Sequence, residues 1–347
     1  MSKTDHIVVI GGTGFIGSRL VQLHLDSGNS VTVVSRTANS SGPAIRGLEY
    51  VRGEAADEQC MRSVINGASV VYDLAMGGGK GWASYQRDFV DSVRGIAQAC
   101  TDFGVKRLIY ASSSVALYLG DRRTITESDG SDPKPEARSY YSRAKILAEQ
   151  LLMDWHAKNG LPVTIMRPCF VVGRGGFLSH GGLGIWPSDT WCIRLGKGLD
   201  PLPFVLVQDV VQALFSAAWA PGIDGMAFNL AGDVRPSAVE FISWCTERSL
   251  REIHFRPTSL TWFYSVSLAK WSIKRVGGAE GWFPSYREFK SAAMYSDIDC
   301  SAAKRLLDWR PNADVEYFIH EAINSHLAPV HPHDLRLNTS PYGAMVR

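Results

Sequence analysis

The sequence contains little cysteine, no long apolar run and almost no excess of charge, and each absence argues against a class of protein. Its 347 residues include six cysteines, scattered without a CxxC pair, so neither a disulfide framework nor a zinc site is expected. No stretch reaches the ~18 uncharged apolar residues that a membrane-spanning helix requires. The 36 Lys and Arg nearly balance the 34 Asp and Glu, which argues against a nucleic-acid-binding surface.

The rest of the composition, 45% hydrophobic and 10% aromatic, is that of a globular protein. The polar start MSKTDH leads directly into an apolar segment, so we expect no signal peptide and a cytoplasmic protein. His331 and His333 are close enough in sequence to share a metal, but they flank Pro332 in a polar tail. We therefore expect no metal site.

The segment IVVIGGTGFIG (7–17) has the pattern of a dinucleotide-binding turn. Four apolar residues predict a buried strand, and the glycines that follow suit a tight turn, a close approach to a diphosphate and packing of helix on strand. The helix that begins here offers free amides and the positive end of its dipole to an anion. The residues expected to bind the dinucleotide are Gly11, Thr13, Gly14, Phe15, Ile16 and Gly17.

Strand-like and helix-like segments alternate over the first half of the chain. The predicted strands are 7–10, 30–35, 48–52, 70–74, 107–111 and 162–167, and the predicted helices lie near 15–27, 57–66, 84–103 and 139–159. This alternation is typical of an α/β protein with a Rossmann-type, doubly wound parallel sheet.

The regularity weakens after Arg167. The glycine-rich stretch 173–184 predicts a loop near a ligand, and two further strands are predicted at 203–207 and 227–230, separated by a helix at 209–219. We expect a Rossmann domain over 1–172 that also receives about 203–232. A smaller, mostly helical C-terminal substrate lobe would comprise 173–202 and 233–329, and 330–347 would be a loosely ordered tail.

Eight segments, in one order, resemble the extended (atypical) short-chain dehydrogenase/reductase family. They are GGTGFIG (11–17), YDLA (72–75), YASSSVALY (110–118), YSRAK (141–145), RPCFVVG (167–173), FVLVQDVV (204–211), FNL (228–230) and DCSAAKRLLDWRP (299–311). The resemblance extends from residue 7 to about residue 325. It implies an NAD(P)-binding Rossmann domain, a substrate lobe, and an activity among the family's nucleotide-sugar epimerases, dehydratases and reductases.

Tyr141 and Lys145 lie four residues apart on a predicted helix and therefore share one face. A tyrosine, with an ordinary pKa near ~10, is a poor base unless a neighbouring cation favours its phenolate. A solvated helix face would explain the isolated pair equally well. The resemblance assigns Tyr141 as the acid/base and Lys145 as its partner, both also binding the cofactor.

The resemblance also assigns Ser114, after the fifth strand, as a hydrogen-bond donor to the reacting oxygen. Ser112 and Ser113 precede it directly. Ser114 is preferred because it lies three residues before the Leu117–Tyr118 pair, which stands where the family has Val-Tyr.

The end of the second strand predicts the type of cofactor. An NAD enzyme places a carboxylate about 20 residues after the glycines, where it binds the ribose hydroxyls. Ser35 and Arg36 occupy that place here, and an arginine suits a 2′-phosphate, so NADP is expected and NAD is the alternative. The remaining cofactor contacts implied by the resemblance are Glu54, Ala55, Leu74, Ala75 and Pro168.

Val115 and Ala116 follow the predicted serine, where family members that dehydrate or decarboxylate sugars have acidic residues. The missing acid/base pair argues against a 4,6-dehydratase or a decarboxylase. We therefore expect an NADP(H)-dependent reductase or dehydrogenase acting on a secondary alcohol or ketone, at the 4-keto position of a nucleotide-sugar-like substrate. The alternatives are a cofactor-retaining nucleotide-sugar 4-epimerase, a 3β-hydroxysteroid-type dehydrogenase, and a non-catalytic NADP sensor, against which the intact Tyr141–Lys145 pair argues.

Two cations, Arg174 and Arg287, are candidate substrate ligands together with Ser114, and the resemblance gives positional support only to Arg287. The segment LTWFYSVSLAKWSIKR (260–275) mixes aromatic and basic residues, as membrane-surface helices do. Because its apolar residues do not form one clean stripe, a buried substrate-lobe helix is expected instead of membrane contact. By analogy with the family, helices near 84–103 and 139–157 would form a homodimer interface.

Overall fold

The computed structural model describes residues 4–38, 45–176, 181–248, 252–277 and 281–324. Its strands, in chain order, are β1 (His6–Ile10), β2 (Ser30–Ser35), β3 (Leu48–Arg52), β4 (Val70–Asp73), β5 (Arg107–Ala111), β6 (Thr124–Ile125), β7 (Val163–Pro168), β8 (Phe170–Val172), β9 (Ile185–Ser188), β10 (Trp191–Leu195), β11 (Phe204–Leu206), β12 (Met226–Leu230), β13 (His254–Thr258) and β14 (Asp297–Ile298).

Its α-helices are α1 (Gly17–Asp26), α2 (Glu58–Ile65), α3 (Trp82–Tyr85), α4 (Ser92–Asp102), α5 (Tyr140–Asn159), α6 (Val207–Ala217), α7 (Ala238–Arg248), α8 (Leu260–Val276), α9 (Tyr286–Ala292), α10 (Ser301–Leu306) and α11 (Val315–Ala322). A π-helical turn spans Gln86–Asp91, and 3₁₀ turns span Ser114–Ala116 and Pro135–Ala137. None of the helices in the described part of the chain is long and apolar enough to cross a membrane.

Seven of the described strands form one parallel sheet in the order β3-β2-β1-β4-β5-β7-β12. The chain moves outward from β1 to β3 and then returns to β4 on the other side of β1. This reversal leaves a crevice at the carboxyl ends of β1 and β4, where doubly wound sheets bind ligands. The predicted α/β fold and its Rossmann-type sheet are confirmed.

Apolar cores cover both faces of the sheet. On one face, Leu20 of α1 and Leu214 of α6 are fully buried; on the other, Ile65 of α2, Ile96 of α4 and Leu152 of α5 are fully buried. Burial of such a side chain contributes about 1.5–3 kcal/mol. The two cores fix the helices that carry the nucleotide turn and Tyr141 against one rigid sheet.

The second half of the chain departs from the predicted elements. The strand predicted at 203–207 is β11, which pairs with β8 in a separate two-stranded sheet, whereas β12 extends the central sheet. A three-stranded sheet of β9, β10 and β13 was not predicted, because its short strands lack a clear alternation of polar and apolar residues. The predicted domain boundaries stay predictions. The predicted tail at 330–347 and residues 177–180 of the predicted loop lie outside the described residues.

Two helix predictions are corrected. The helix predicted at 84–103 is interrupted by the π-helical turn, where the Ser92 hydroxyl donates to the Asp88 carbonyl oxygen at 2.7 Å. The segment expected as a buried substrate-lobe helix is α8, and none of its residues, all of them described, is buried. Its apolar residues divide between two faces, and only one of these faces packs on the protein.

Candidate active site

The predicted nucleotide turn lies at the reversal point of the sheet, between β1 and α1. Gly11 has φ +81°, and a side chain on it would lie 2.8 Å from the carbonyl oxygen of Leu74, so the turn requires glycine there. A side chain on Gly17 would collide with the carbonyl oxygen of Gly11. The turn therefore draws the start of α1 close to the end of β4.

The start of α1 suits an anion. Phe15 and Ile16 precede Gly17, the first residue of α1, and the N-cap residue Ile16 provides no side-chain cap to the first amides of the helix. Helix amides without such a cap, together with the helix dipole, attract a phosphate. Gly14 continues the turn, and its amide donates to the Gly11 carbonyl oxygen at 3.0 Å. This geometry suits the diphosphate of a dinucleotide.

Hydroxyl groups surround the end of β2, where the cofactor type was predicted. Thr13 Oγ1 lies 2.7 Å from Ser35 Oγ, which lies 3.2 Å from Thr37 Oγ1. Arg36 is exposed beside them. No carboxylate stands at the end of β2 within the described residues, as the sequence predicted.

The other predicted cofactor residues follow neighbouring strands. Glu54 and Ala55 come after β3, and Ala55 packs against the core while Glu54 is exposed. Leu74 and Ala75 come after β4, where the Ala75 amide donates to Asp73 Oδ1 at 3.1 Å. Pro168 ends β7. All of them therefore lie at the carboxyl edge of the sheet.

Lys145 is a buried cation at the same edge. Its Nζ donates to the carbonyl oxygen of Ala111 at 2.7 Å and to the Tyr110 hydroxyl at 3.2 Å, so the end of β5 fixes its position. Burial lowers the pKa of Lys145 to about 8, while the carboxylates of Asp73 and Glu149 oppose that shift. The ammonium is thus retained at neutral pH.

Tyr141 lies one helical turn before Lys145, partly open to the crevice. Its ring packs edge-on against Phe89, with centroids 5.7 Å apart, and its hydroxyl lies 4.0 Å from the sulfur of Met76. Burial raises the pKa of Tyr141 to about 12, and a hydrogen bond from Ser113 acts in the opposite direction. The phenol is therefore protonated at neutral pH unless further positive charge is added.

Two of the three consecutive serines, Ser113 and Ser114, contact different groups. Ser113 has extended backbone, with φ −163° and ψ 155°, and its hydroxyl reaches Tyr141. Ser114 is 1% exposed, and its hydroxyl bonds to Cys169 on the other side of the segment. Because Ser114 begins the 3₁₀ turn directly after the extended Ser113, the two hydroxyls contact different groups. Ser113 is thus the serine whose hydroxyl contacts Tyr141, and the predicted role of Ser114 stays a prediction.

The two predicted substrate cations differ in their surroundings. The carbonyl oxygen of Arg174 accepts from Arg19 at 2.5 Å, while its side chain is exposed. Arg287 binds both oxygens of Asp132, with a shortest distance of 2.7 Å, and its guanidinium lies 3.7 Å from the centroid of the Tyr118 ring. Arg287 is thus already engaged by a carboxylate, and its role as a substrate ligand stays a prediction.

A buried ion cluster joins the two parts of the chain beside the site. Arg138 pairs with Asp132 at 2.7 Å and with Glu288 of α9 at 2.5 Å, and these side chains are at most 9% exposed. Ser142 Oγ also donates to Glu288 at 3.0 Å. Removal of one partner from a buried pair costs about 3–5 kcal/mol. The cluster therefore fixes the start of α5, and with it Tyr141, against α9.

Several residues at this site were not predicted, namely Ser113, Asp73 and Met76. Asp73 lies in the segment YDLA (72–75), where a carboxylate at the end of a buried strand is a signal for a site residue. Met76 carries no sequence signal for a position beside Tyr141. Among the described residues, no group of three or more His, Cys, Asp or Glu side chains could hold a metal ion.

Comparison with known proteins agrees with this geometry. The profile of the NAD dependent epimerase/dehydratase family matches residues 7–231. The sterol-4-alpha-carboxylate 3-dehydrogenase, decarboxylating, of Mus musculus is 23% identical over 345 residues, which cover 94% of this chain and 92% of the relative. The 3 beta-hydroxysteroid dehydrogenase/Delta 5→4-isomerase of Mycobacterium tuberculosis is 29% identical over 184 residues, about half of each chain at 50% and 49%.

Solved structures give the same fold. The UDP-glucuronic acid 4-epimerase from Bacillus cereus, solved with UDP-glucuronic acid and NAD, has a TM-score of 0.70 and 19% identity. The match covers 92% of this chain and 98% of the epimerase, and at this identity it shows the fold alone.

The fold and these matches define an NAD(P)-dependent oxidoreductase or epimerase. The chain belongs to the NAD dependent epimerase/dehydratase family, and thereby to the extended short-chain dehydrogenases/reductases that its motifs resemble.

Proposed function

We propose that the protein is an NADP(H)-dependent dehydrogenase or reductase that interconverts a secondary alcohol and a ketone on a bulky, largely apolar substrate of the sterol type. The observation that carries this proposal is the composition of the crevice around Tyr141. The exposed thioether of Met76 adjoins Tyr141, whose ring packs on the buried Phe89. The half-buried Tyr85 and Tyr140 form an aromatic wall beside them, with ring centroids 5.9 Å apart. Such a wall suits an apolar substrate.

The cations of the substrate lobe support this choice over a nucleotide sugar. Arg287 is paired with Asp132, and Arg194 is 2% exposed and donates to the carbonyl oxygens of Gly182 and Ala293, both at 2.8 Å. Binding a diphosphate with either arginine would require these bonds to break. The similarity to two sterol or steroid dehydrogenases points in the same direction.

The residues at the site divide the chemistry among them. When bound, a nicotinamide dinucleotide supplies the hydride acceptor or donor. In the oxidation direction Tyr141, as phenolate, would take the hydroxyl proton of the alcohol, and Ser113 would donate a hydrogen bond to the same oxygen. Lys145 would hold a positive charge near Tyr141 and favour the phenolate. In the reduction direction Tyr141 would return the proton.

We propose that this cofactor is NADP. Arg36 and the hydroxyls of Thr13, Ser35 and Thr37 offer donors to a 2′-phosphate, and the absence of a carboxylate at the end of β2 among the described residues removes a repulsion. NAD is the alternative, which is named in the description of the family.

An assay of substrates distinguishes the proposal from its alternatives. Purified protein would be incubated with NADP⁺ and 3β-hydroxysteroids, and in parallel with UDP-glucose and UDP-glucuronic acid, with nicotinamide absorbance as the readout. We expect reduction of NADP⁺ with the steroids and none with the sugars. Turnover of a UDP-sugar alone, with or without net redox, would contradict the proposal.

A nucleotide-sugar 4-epimerase is the second candidate, because the chain shares its fold over 98% of the B. cereus epimerase. An epimerase returns the hydride to the substrate, so it would interconvert two sugars without net change in nicotinamide absorbance. Product analysis by chromatography identifies this outcome. A non-catalytic sensor is disfavoured by the intact Tyr141 and Lys145.

A homodimer is also proposed, on the analogy with the family. The groove between α5 and the segment formed by the π-helical turn and α4 has an apolar and a polar part. The apolar side chains are Val90, Leu147, Leu151 and Trp155, and the polar ones are Gln86, Arg94, Asp154, Lys158 and Asn159. A second copy would cover these apolar side chains. Light scattering coupled to gel filtration should give twice the monomer mass, and Leu151→Glu should reduce it; a monomer for the unaltered chain would contradict the proposal.

A further inference from the structure

The outward face of α8 carries a stripe of apolar side chains. Trp262, Ile273 and Val276 are 59%, 73% and 92% exposed, and the half-buried Val266 and the exposed Ala269 lie between them. Their spacing alternates between four and three residues, which places all five on one face of a helix. A helix on the surface of a globular protein normally directs such a stripe toward the core.

The inward face of the same helix already attaches it to the protein. Phe263 packs edge-on against Phe289 of α9 with ring centroids 5.4 Å apart, and Tyr264 packs on Tyr286 at the same distance. Trp271 contacts Phe283 at 5.0 Å. Because these rings fix the helix, the outward stripe has no role in holding the fold together.

Two further exposed aromatic residues lie beside α8. Phe283 and Tyr286 are 51% and 43% exposed, and both contact the helix through the ring pairs just described. The stripe itself, formed by Trp262, Val266, Ala269, Ile273 and Val276, is named here the α8 face. Tryptophan and tyrosine are favoured where one part of a side chain is apolar and another is wet, as at a membrane surface.

The charged residues of α8 are all basic. Leu260–Val276 contains Lys270, Lys274 and Arg275 and no Asp or Glu. Lys270 lies beside the stripe, and Lys274 and Arg275 lie nearer the opposite face of the helix. All three are exposed, and their long side chains can reach toward a surface that the apolar groups contact. This arrangement matches an interfacial helix that lies on an anionic lipid surface.

A second copy of α8 matches the stripe less well. In a coiled coil the positions that flank the stripe pair with opposite charges of the partner helix. Those positions hold Ser265, Lys270 and Ser272, so a partner helix would offer Lys270 no carboxylate. We propose that the α8 face binds an anionic lipid bilayer as a peripheral, non-spanning contact.

The segment between α8 and α9 contacts the residue before the catalytic helix. Trp282 Nε1 donates to the carbonyl oxygen of Arg138 at 2.8 Å, and Arg138 directly precedes Ser139, the N-cap of α5. Contact with a bilayer would thus hold the crevice near the lipid phase, from which an apolar substrate could enter. The lipid contact itself requires no particular substrate and is independent of the proposed activity.

Vesicle co-sedimentation of the full chain tests the proposal. The probes are vesicles of phosphatidylcholine alone and of phosphatidylcholine mixed with phosphatidylglycerol. A stripe variant combines Trp262→Ser, Ile273→Ser and Val276→Ser, and a charge variant combines Lys270→Gln, Lys274→Gln and Arg275→Gln. The matched control, Trp219→Ser with Val315→Ser, removes an exposed tryptophan and an exposed valine, 41% and 45% exposed, from other surfaces.

We expect the unaltered chain and the control to sediment with the mixed vesicles, and the stripe variant to lose roughly tenfold or more of its partition coefficient. The charge variant should bind the mixed vesicles no better than phosphatidylcholine alone, and added salt should weaken binding of the unaltered chain. Unchanged thermal melts by circular dichroism would show that the variants fold.

Failure of the unaltered chain to sediment with mixed vesicles would overturn the proposal, and so would equal binding by a folded stripe variant. A stripe variant that lowers the mass of a self-associated species, without any vesicle binding by the unaltered chain, would assign the face to a second copy instead. Because the readout needs no turnover, inactivity toward steroids would leave this result intact.

Discussion

The hydroxyl of Ser113 is hydrogen-bonded to Tyr141, whereas the hydroxyl of its neighbour Ser114 is hydrogen-bonded to Cys169. The reacting oxygen of a substrate must lie close to the Tyr141 hydroxyl, so the serine that reaches Tyr141 is the one placed to contact that oxygen. The pair therefore offers a test in which two adjacent, chemically identical residues have different expected effects.

Ser113→Ala should lower kcat for hydride transfer by about 10²–10³, the loss typical of a removed donor to a developing oxyanion. Ser114→Ala is the matched control and should leave kcat within about threefold, because its hydroxyl contacts only the buried Cys169 side of the segment. Steady-state kinetics with one substrate suffices. A larger loss in Ser114→Ala than in Ser113→Ala would restore the assignment made from the sequence.

Arg36→Leu should lower kcat/KM for NADPH by about 10- to 100-fold, since a hydrogen bond to a charged group contributes about 1.5–3 kcal/mol. NADH lacks the 2′-phosphate, so kcat/KM for NADH in the same variant should stay almost constant and serves as the internal control. An equal loss for both cofactors would show that Arg36 supports the turn and does not select the phosphate.

Alcohol oxidation should accelerate as the pH rises, because it consumes a Tyr141 phenolate while burial raises the pKa of this phenol to about 12. Below about pH 8, where burial places the pKa of Lys145, this side chain is an ammonium that favours the phenolate. Lys145→Met should therefore displace the rise of the pH–rate profile to higher pH. A profile that Lys145→Met leaves unmoved would exclude this electrostatic role.

His24 should make the unfolding free energy depend on pH. Its ring is fully buried beside the Tyr72 hydroxyl, 2.9 Å away, and burial lowers its pKa from 6.5 to about 4. Between these values the unfolded chain binds more protons than the folded one, so stability falls as the pH drops from 6.5 toward 4. This group alone accounts for about 3 kcal/mol of that loss.

The variant His24→Gln keeps hydrogen-bonding groups but removes the titration. Urea unfolding of both proteins at pH 7 and pH 4 should show that the unaltered chain loses about 3 kcal/mol more than the variant. Equal losses in the two proteins would contradict a neutral, buried His24.

Features encoded locally could be predicted from the sequence. The nucleotide turn requires glycine at positions 11 and 17, and these glycines can be read directly from the sequence. The four-residue spacing of Tyr141 and Lys145 places both residues on one face of a helix. The carboxyl ends of parallel strands then bring these segments together, because the fold leaves one crevice. For these reasons the sheet and the nucleotide turn were predictable.

Other features depend on residues far apart in the chain or on the backbone conformation of a single residue, and the sequence shows neither. Ser113 is extended and Ser114 begins a 3₁₀ turn, and the run of three serines does not show where this turn begins. Asp132, the partner of Arg287, lies 155 residues away in the chain. In α8, Trp262 and Phe263 are both large aromatic residues, so the sequence does not show which of the two packs on the protein and which is exposed.

Hydride transfer by the Tyr141→Phe variant tests directly whether Tyr141 is the acid/base. This variant keeps the ring that packs on Phe89 and removes only the hydroxyl, so binding of NADPH, measured by calorimetry, should be unchanged within about twofold. Its rate of 3-ketosteroid reduction should fall by about 10²–10⁴ relative to the unaltered protein. Reduction at the unaltered rate would contradict the assignment of Tyr141 as the acid/base of this enzyme.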